Sequence, residues 1–517
     1  MTDTPSGLTS GLHTGSHDLP VSPELTRYMA GNWTASPLPA TDRVPAHAAT
    51  PRRRERLSAH FPGERLIIPA GQLQVRSNDA DHRFRPHSAY AWLTGLTGED
   101  QAGHVLVLEP SGPHGHEAVL YLRPRSPRAD GNEEFYRDRR YGEFWVGRRP
   151  DLAEAERLTG LRCAHLDTLG SPKGRDAARD RELASVLSEL RLVKEAWEVD
   201  QLQLAVDHTT AGFEDVVRAL PQALAHPRGE RWIEGVFGLR ARAEGNGLGY
   251  NTIAASGAHA CMLHWIHNDG RLDPNELLLL DAGVETDTLY TADITRTLPL
   301  SGRFSPVQRQ VYELVLAAQE AGIAALRPGA TFRDFHRAGM RVMAEGLAQW
   351  GVLKNTEGDL HRRYTLCASG HMLGMDVHDC AQARAQTYLD GVLEEGQVLT
   401  VEPGLYLQPD DETLPAELRG IGVRVEDDLV ITATGGPPGA GARARPGAGL
   451  VEWVGDQLVR RCPPRAAARR RAGGGGRGGG VVASLVNRGR GARGVGGPLP
   501  RTVAGIEEWM GNLLESR

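Results

Sequence analysis

Apolar residues fall at helical spacing along a stretch that begins near Glu195. Leu202, Val206, Phe213 and Val217 follow one another at intervals of 4, 7 and 4 residues. All four therefore lie on one face of an α-helix. This pattern predicts a single long helix, which we interpret as the start of a second domain because the segments before it have a different pattern.

The segment before this helix is divided by Gly, Pro and Asp into short apolar runs. Three of the runs, at 65–69, 105–108 and 118–122, have the composition of strands. We therefore expect a first domain of mixed strands and helices at 51–190. Residues 1–50 are rich in Ser, Thr, Pro and Gly without apolar periodicity, which predicts a mostly flexible leader.

Two apolar runs after the long helix predict a hairpin. The run 277–280 leads into Asp281, and a second run, LYTADITRT, follows a polar turn. The later segments VLTVEPGLYL and GVRVEDDLVI indicate further strands.

Helix caps punctuate the region between these strands. Ser305 precedes Pro306 and is followed by Gln308, which is the pattern of a capping box. Thr331 is expected to cap the next helix. The order helix, hairpin, helices, strands predicts an α+β domain at 191–434.

Residues 435–497 interrupt this pattern. They contain 19 glycines, 12 arginines and two acidic residues, a composition that buries too little apolar surface to fold. We expect disorder here, and two origins fit the composition: an out-of-frame stretch of a GC-rich coding sequence, or a genuine disordered insertion. Thr502 then has the position of a helix cap, so 498–517 are expected to return to the second domain as a terminal helix.

Composition narrows the class of protein. A chain of 517 residues, 40% hydrophobic and 24% charged, is typical of a globular protein with about two to four domains. No run approaches the ~18 apolar residues of a membrane span, and the N-terminal sequence lacks the pattern of a secretion signal. We therefore expect a cytoplasmic protein without a membrane partner. The five cysteines form no CxxC pair, which argues against a disulfide framework or a thiolate zinc site.

The charge is unevenly distributed. The net charge is −6, and the chain has 59 basic residues of which only three are lysines. The basic stretch 443–493 contains a single aromatic residue, Trp453, and so offers little stacking surface for bases. Nucleic acid is not an expected partner.

Four carboxylates interrupt segments that otherwise have the pattern of buried strands. These residues are Asp281, Asp293, Glu402 and Glu426. Buried carboxylates repel one another and are costly without compensation, and a divalent cation would supply the opposite charge. His371, flanked by glycines in SGHMLG, completes a set of hard ligands that suits Mn, Co, Fe or Zn in pairs.

The same segments resemble a known family. LLLLDAG, TADITRT, SGHMLGMDVHD, LTVEPGLY and RGIGVRVEDD resemble the metal-site segments of the dinuclear metallopeptidases with the pita-bread fold, specifically aminopeptidase P. The resemblance covers 55–434 and 498–517, and residues 84–96 and 144–150 resemble the family's N-terminal domain. It implies an α+β protein in which a creatinase-type N-terminal domain is followed by a pita-bread catalytic domain.

The resemblance also implies a metal site. The family's ligands match Asp281, Asp293, His371, Glu402 and Glu426, with Asp293 and Glu426 as bridges. Two divalent ions per chain are implied; manganese is the first expectation, and cobalt, iron and zinc are the alternatives.

The implied reaction is hydrolysis of the amide before a penultimate proline, which releases the N-terminal residue of a peptide through a metal-activated water. Glu402 would carry the proton of that water. His264, in MLHWIHND, and His378, in DVHD, match the family's substrate-positioning and proton-handling histidines, and Arg424 matches an arginine near the substrate. We also expect a homo-oligomer, either a dimer or a tetramer.

Alternative functions are open at this point. A prolidase that cleaves Xaa-Pro dipeptides has similar motifs, and a methionine aminopeptidase-like role would give cleavage of Met-Ala peptides. A non-catalytic pita-bread protein that binds peptides is disfavoured, because buried carboxylates are costly to keep without a role. One departure concerns Cys367, which stands where the family commonly has a second histidine, four residues before His371. That difference affects an expected substrate contact and leaves the metal site unchanged.

Overall fold

The structure, a computed structural model, describes residues 12–15, 17–37, 43–113, 115–129, 131–170, 176–327, 329–366, 368–432, 482–486 and 499–515. The chain divides into two compact units, Met1–Val186 and Leu187–Arg517. Both contain helices and strands, so the expected α+β class is confirmed. Within the described residues, no helix combines the length and apolar character needed to cross a bilayer.

The first unit is built around one four-stranded sheet. The strands of the unit are β1 (Leu66–Pro69), β2 (Val75–Ser77), β3 (Ala80–Asp81), β4 (Val105–Ser111), β5 (Gly115–Leu122) and β6 (Arg162–His165). The sheet order is β1-β4-β5-β6, antiparallel except for the parallel pair β5 and β6, and β2 and β3 form a separate hairpin. Strands β1, β4 and β5 confirm the three strands expected from the apolar runs.

Helices precede, separate and follow these strands along the chain. They are α1 (Pro23–Ala30), α2 (Thr50–His60), α3 (Ser88–Thr94), α4 (Glu134–Arg137), α5 (Glu143–Val146), α6 (Leu152–Thr159) and α7 (Ala177–Arg191). Helix α3 is the core helix of the unit, because Tyr90, Trp92 and Leu93 on it are all at most 1% exposed.

Helix α1 lies within the leader, residues 1–50, that was expected to be mostly flexible. Ser22 caps it by accepting a hydrogen bond from the Leu25 amide, and Pro23 occupies its first turn. The preceding residue Asp18 forms an ion pair with Arg139. These are long-range contacts and a short cap, which apolar periodicity does not reveal; residues 1–11 lie outside the described part of the chain.

The second unit contains the long helix. Its helices are α8 (Ala196–Ala225), α9 (Gly229–Glu244), α10 (Pro306–Ala325), α11 (Phe332–Gln349), α12 (Ala385–Tyr388) and α13 (Val503–Glu515). The expected long helix is therefore confirmed as α8. The caps at Ser305 and Thr331 are confirmed as well, each as a capping box, with Gln308 and Asp334 as the respective partners. The Thr502 hydroxyl accepts from the Gly505 amide at the start of α13.

The strands of this unit form small sheets that meet around the carboxylates. They are β7 (Gly247–Leu248), β8 (Ile253–Ser256), β9 (Leu277–Ala282), β10 (Val284–Glu285), β11 (Ile294–Pro299), β12 (Val398–Val401), β13 (Gly404–Leu407), β14 (Ile421–Arg424), β15 (Asp427–Ile431) and β16 (Val482–Ser484). The expected pairing of the two apolar runs is confirmed, because β9 and β11 are antiparallel with Asp281 opposite Thr295. Strand β8 pairs with the other edge of β9.

The two later segments expected to form strands each form two strands. VLTVEPGLYL forms β12 and β13, and GVRVEDDLVI forms β14 and β15; β12 pairs with β15, and β13 with β14. Both ladders break where a glutamate stands. The Glu402 amide donates to Ser369 O at 2.8 Å and the Glu426 amide donates to Thr295 O at 3.1 Å. At each glutamate, a backbone hydrogen bond to another segment thus replaces the strand pairing. The two glutamates lie where the small sheets meet.

The segment 435–497 was expected to be disordered, and five of its residues differ from that expectation. Strand β16 pairs with the free edge of β15, and Leu485 and Val486 are buried. An apolar run that completes an exposed sheet edge gains hydrogen bonds that composition alone does not predict. The remainder of 435–497 lies outside the described residues.

Candidate metal centre

The first two carboxylates lie on the hairpin of β9 and β11. Asp281 is in β9, and Asp293 directly precedes β11. The Tyr250 hydroxyl oxygen lies 2.6 Å from Asp281 Oδ1 and 2.5 Å from Asp293 Oδ1, so it joins the two side chains. Gly283 allows the strands to approach, because a Cβ there would lie 1.8 Å from Ala292 O. The DAG motif thus has a steric reason for its glycine.

His371 is held in one orientation by its own backbone neighbourhood. Its amide donates to Thr400 Oγ1 at 3.1 Å, and its Nδ1 lies 3.2 Å from Met372 O. A carbonyl can only accept, so Nδ1 carries a proton, and Nε2 is the ring atom that would serve as the ligand when a metal is bound. This Nε2 lies 3.1 Å from Asp293 Oδ2 and 3.4 Å from Glu402 Oε1.

Glu426 contributes a carboxylate oxygen without a partner. Thr295 donates to its Oε2 at 2.7 Å, whereas its Oε1 is buried and, within the described residues, has no hydrogen-bond partner. One ligand atom from each of Asp293, His371 and Glu426 lies within 4.8 Å of the others. An orphaned carboxylate oxygen beside an imidazole nitrogen and a second carboxylate is the arrangement that a divalent cation would satisfy.

Burial works against the charges of this cluster. It raises the pKa of Asp281, with Arg424 opposing and Asp293 adding to the rise. It also raises the pKa values of Glu402 and Glu426, and neighbouring acids add to both. For Asp293, burial is outweighed by the hydrogen bond and charge of His371, so its pKa is lowered. One histidine and one arginine do not compensate four crowded acids, and added positive charge fits this site.

A cavity of about 540 Å³ opens onto the cluster. It is lined by Asp281, Asp293, His371 and Glu402, and also by His264 and His378. The structure therefore brings together every residue expected at the site, although Asp281 and Glu402 lie outside the tight group that Asp293, His371 and Glu426 form. Leu263, Ile266 and Val377 give the cavity an apolar wall.

Arg424, which was expected to lie near the substrate, also contacts several side chains of the protein. Its Nη2 forms an ion pair with Asp281, its Nη1 donates to the Tyr406 hydroxyl at 3.0 Å, and its Nε donates to Thr295 Oγ1 at 3.0 Å. All three guanidinium nitrogens contact the protein. Arg424 also lines the cavity, and its contact with substrate stays a prediction.

Three residues that support the cluster were missed by the sequence analysis. Thr295 could have been found, because it follows Asp293 by two residues and so shares its strand face. Tyr250 is 31 residues from Asp281 and has no local signal. Arg296 is fully buried; it donates to Glu426 O at 2.6 Å and to Pro500 O at 2.8 Å. Cys367 lies outside the described residues.

Comparison with known proteins gives a consistent family. The model of the aminopeptidase P N-terminal domain matches residues 50–172, and that of metallopeptidase family M24 matches 200–433. Xaa-Pro aminopeptidase 1 of Streptomyces coelicolor is 50% identical over 86% of this chain and 94% of its own length. The Xaa-Pro aminopeptidase of Escherichia coli is 33% identical over 74% of this chain and 92% of its own length. Among solved structures, aminopeptidase PepP of Pseudomonas aeruginosa is similar with a TM-score of 0.67 and 28% identity, covering 92% of this chain and 100% of that one.

Proposed function

Because this chain belongs to the Xaa-Pro aminopeptidases of metallopeptidase family M24, we propose specific roles for its site residues in that reaction. The predicted aminopeptidase P type N-terminal domain and pita-bread catalytic domain are confirmed. The chain is a metal-dependent Xaa-Pro aminopeptidase that acts on peptide substrates. The roles of individual residues, the number and identity of the metals, a dimeric or tetrameric assembly and the cytoplasmic location are proposals.

The proposed metal ligands are the five residues of the cluster: Asp281, Asp293, His371, Glu402 and Glu426. The observation that carries this proposal is the buried Oε1 of Glu426, which lies beside Asp293 and His371 without a hydrogen-bond partner among the described residues. Four carboxylates would suit two divalent ions better than one, Asp293 and Glu426 are the residues that would contact both, and manganese is the first candidate. A zinc-substituted form of the Escherichia coli relative is among the similar structures. When bound, the ions supply positive charge that polarises the scissile carbonyl and activates water.

Glu402 is the proposed proton carrier. Its carboxylate lines the cavity, with Oε1 3.4 Å from His371 Nε2, so it lies beside the proposed metal site, where it can take a proton from water and return it. The proton taken from the attacking water passes to the leaving proline nitrogen, which lacks an N–H of its own in the peptide. Arg424 Nε, 4.0 Å from Glu402 Oε2, favours the charged form of Glu402 between these steps.

The two cavity histidines are proposed to bind the substrate carbonyls. Burial lowers the pKa of His378, and the adjacent His371 lowers it further, so the imidazole is neutral at neutral pH and offers one N–H donor. His378 would donate this hydrogen to the carbonyl oxygen that gains negative charge. His264, exposed at the rim of the cavity, would position the peptide by a second donor.

A four-peptide panel tests the substrate assignment. We expect the metal-loaded protein to hydrolyse Ala-Pro-Ala, and to turn over N-acetyl-Ala-Pro-Ala, Ala-Ala-Ala and the dipeptide Ala-Pro much more slowly. Product formation is followed by chromatography. Faster turnover of Ala-Pro than of the tripeptide would favour a prolidase, and efficient cleavage of Met-Ala-Ala would favour a methionine aminopeptidase-like role.

A further inference from the structure

Glu230 is a fully buried carboxylate outside the metal cluster. It lies in the first turn of α9 and is 0% exposed. Its two oxygens receive four hydrogen bonds. The Ser256 amide and His259 Nδ1 lie 2.8 Å from Oε1, and Trp265 Nε1 and the Gly270 amide lie 2.9 and 2.7 Å from Oε2. Each oxygen of Glu230 therefore accepts two hydrogen bonds, which uses all the acceptor capacity of a carboxylate.

All four donors belong to one segment, residues 256–270, which includes His264. Within this segment, Leu263, His264 and Ile266 line the substrate cavity. Trp265 faces the other side, where its indole donates to Glu230 and stacks on the His259 ring with centroids 3.9 Å apart. The carboxylate thus fixes the residue next to His264.

The C-terminal end of the segment also contacts the backbone of Glu230. The Glu230 amide donates to Gly270 O at 3.2 Å, and a Cβ at Gly270 would lie 2.8 Å from the Glu230 carboxyl carbon. Asn268, which is 0% exposed, accepts from the Ala254 amide at 3.0 Å and donates to Thr252 O at 2.8 Å. The hydrogen bonds of the Glu230 carboxylate go to residues on either side of His264. The position of His264 therefore depends on the neighbouring residues that Glu230 and Asn268 hold in place.

We propose that Glu230 is a positioning residue for the reaction: its carboxylate holds the segment 256–270 so that His264 meets the peptide in the cavity. The inference rests on the proposed substrate contact of His264. Both carboxylate oxygens are required as acceptors, because in a glutamine one of them would become an NH₂ group facing two donors. A nearly isosteric change, Glu230→Gln, therefore disturbs the segment without creating a cavity.

The test is a double-mutant cycle in metal-loaded enzyme with Ala-Pro-Ala as substrate. Glu230→Gln, His264→Ala and the double variant are compared by kcat and KM, by metal content and by the unfolding midpoint. We expect Glu230→Gln to lower kcat/KM by about 10- to 100-fold, with the same division between kcat and KM as His264→Ala and with full metal content. The double variant should match His264→Ala within about twofold, because the effects are not additive when one residue acts through the other.

The matched control is Asp215→Asn. Asp215 forms an ion pair with Arg240 on the same helix α9, so it reports what loss of a carboxylate contact to this helix does by itself. It should leave kcat/KM within about twofold of the parent protein.

The outcomes separate the two ideas. Unchanged kcat/KM in His264→Ala would overturn the substrate role of His264 and this inference with it. A weakened His264→Ala beside an unaffected Glu230→Gln, or additive effects in the double variant, would overturn the inference alone. If Glu230→Gln does not fold, His259→Phe keeps a stacking ring on Trp265 and removes one donor to Glu230. A smaller loss of kcat/KM that vanishes in the His264→Ala background would support the inference, and no loss would overturn it.

Discussion

The imidazole rings of His371 and His378 meet edge to face, with their centroids 4.5 Å apart and their planes inclined by 83°. His371 directs its Nε2 at Asp293 and Glu402, whereas His378 packs against the His371 ring and lines the cavity. This arrangement supports the proposed division of roles, with His371 as a metal ligand and His378 as a group that binds substrate.

His378→Ala should retain its metals and lose turnover. We expect kcat to fall by about 10²–10⁴-fold, because a donor to the developing oxyanion is lost, while metal content measured by elemental analysis stays at the parent level. His361→Ala, on the 3-10 turn Leu360–Arg363, is the matched control and should keep its kcat. An unchanged kcat in His378→Ala would remove it from the reaction.

Asp293→Ala should lose both metals. Asp293 belongs to the tight ligand group and is proposed to contact both ions, so its loss affects the whole centre. Metal analysis after gel filtration measures this, and added Mn²⁺ should no longer raise the unfolding midpoint, since a ligand stabilises only a fold that binds it. Asp411→Asn, which breaks an ion pair with Arg363, is the control and should bind metal normally. Full occupancy in Asp293→Ala would contradict the ligand assignment.

Tyr250→Phe should weaken metal binding without abolishing it. The hydroxyl joins Asp281 to Asp293, and removing a group that orients metal ligands typically costs about 10- to 100-fold in affinity. Competition with a fluorescent chelator measures the affinity. Tyr312→Phe removes another buried hydroxyl, one that donates to Arg501 O at 2.7 Å, and should leave metal affinity unchanged. Equal affinities for the Tyr250 and Tyr312 variants would show that Tyr250 has no role in orienting the ligands.

His104 should make the first unit sensitive to acid. The side chain is 4% exposed, and burial, helped by Arg149 and Arg123, lowers its pKa from 6.5 to about 3. Below pH 6.5 the unfolded chain therefore binds a proton that the folded unit excludes. The resulting stability is complete above the unfolded pKa and is lost as the pH falls towards 3, by up to about 1.4 kcal/mol per pH unit.

Urea unfolding of the parent protein and of His104→Asn between pH 7 and pH 4.5 measures this contribution. The difference in the free energy of unfolding between the two proteins should shrink as the pH falls, because asparagine does not titrate. A difference that stays constant across this range would exclude His104 as an acid-sensitive group.

Local patterns predicted the parts of the fold that local interactions determine. The caps at Ser305 and Thr331, the long helix after Glu195 and the pairing of the two strands that carry Asp281 and Asp293 all depend on residues close in sequence. The five proposed ligands could be identified because their segments carry family motifs and because charges on apolar strands are conspicuous.

Long-range contacts determine what the sequence did not reveal. Strands that carry Glu402 and Glu426 break because their amides bond to Ser369 O and Thr295 O, and no pattern within either strand reports such partners. Helix α1 and strand β16 depend on short caps and on an available sheet edge. Tyr250 and Glu230 contact residues 26 to 43 positions away, beyond the reach of any periodicity.

Arg296 makes one support of the carboxylate cluster depend on a residue that is synthesised late. It donates to the carbonyl of Glu426 and to that of Pro500, and Pro500 lies 204 residues further along the chain. Pro500 lies 74 residues beyond Glu426, the last carboxylate of the cluster, and at about 5–20 residues per second a ribosome needs roughly 4–15 s to add that stretch. A nascent chain thus carries all four carboxylates for several seconds before Arg296 can bond to Pro500. Metal captured during that interval would meet a centre that still lacks the contact between Arg296 and Pro500.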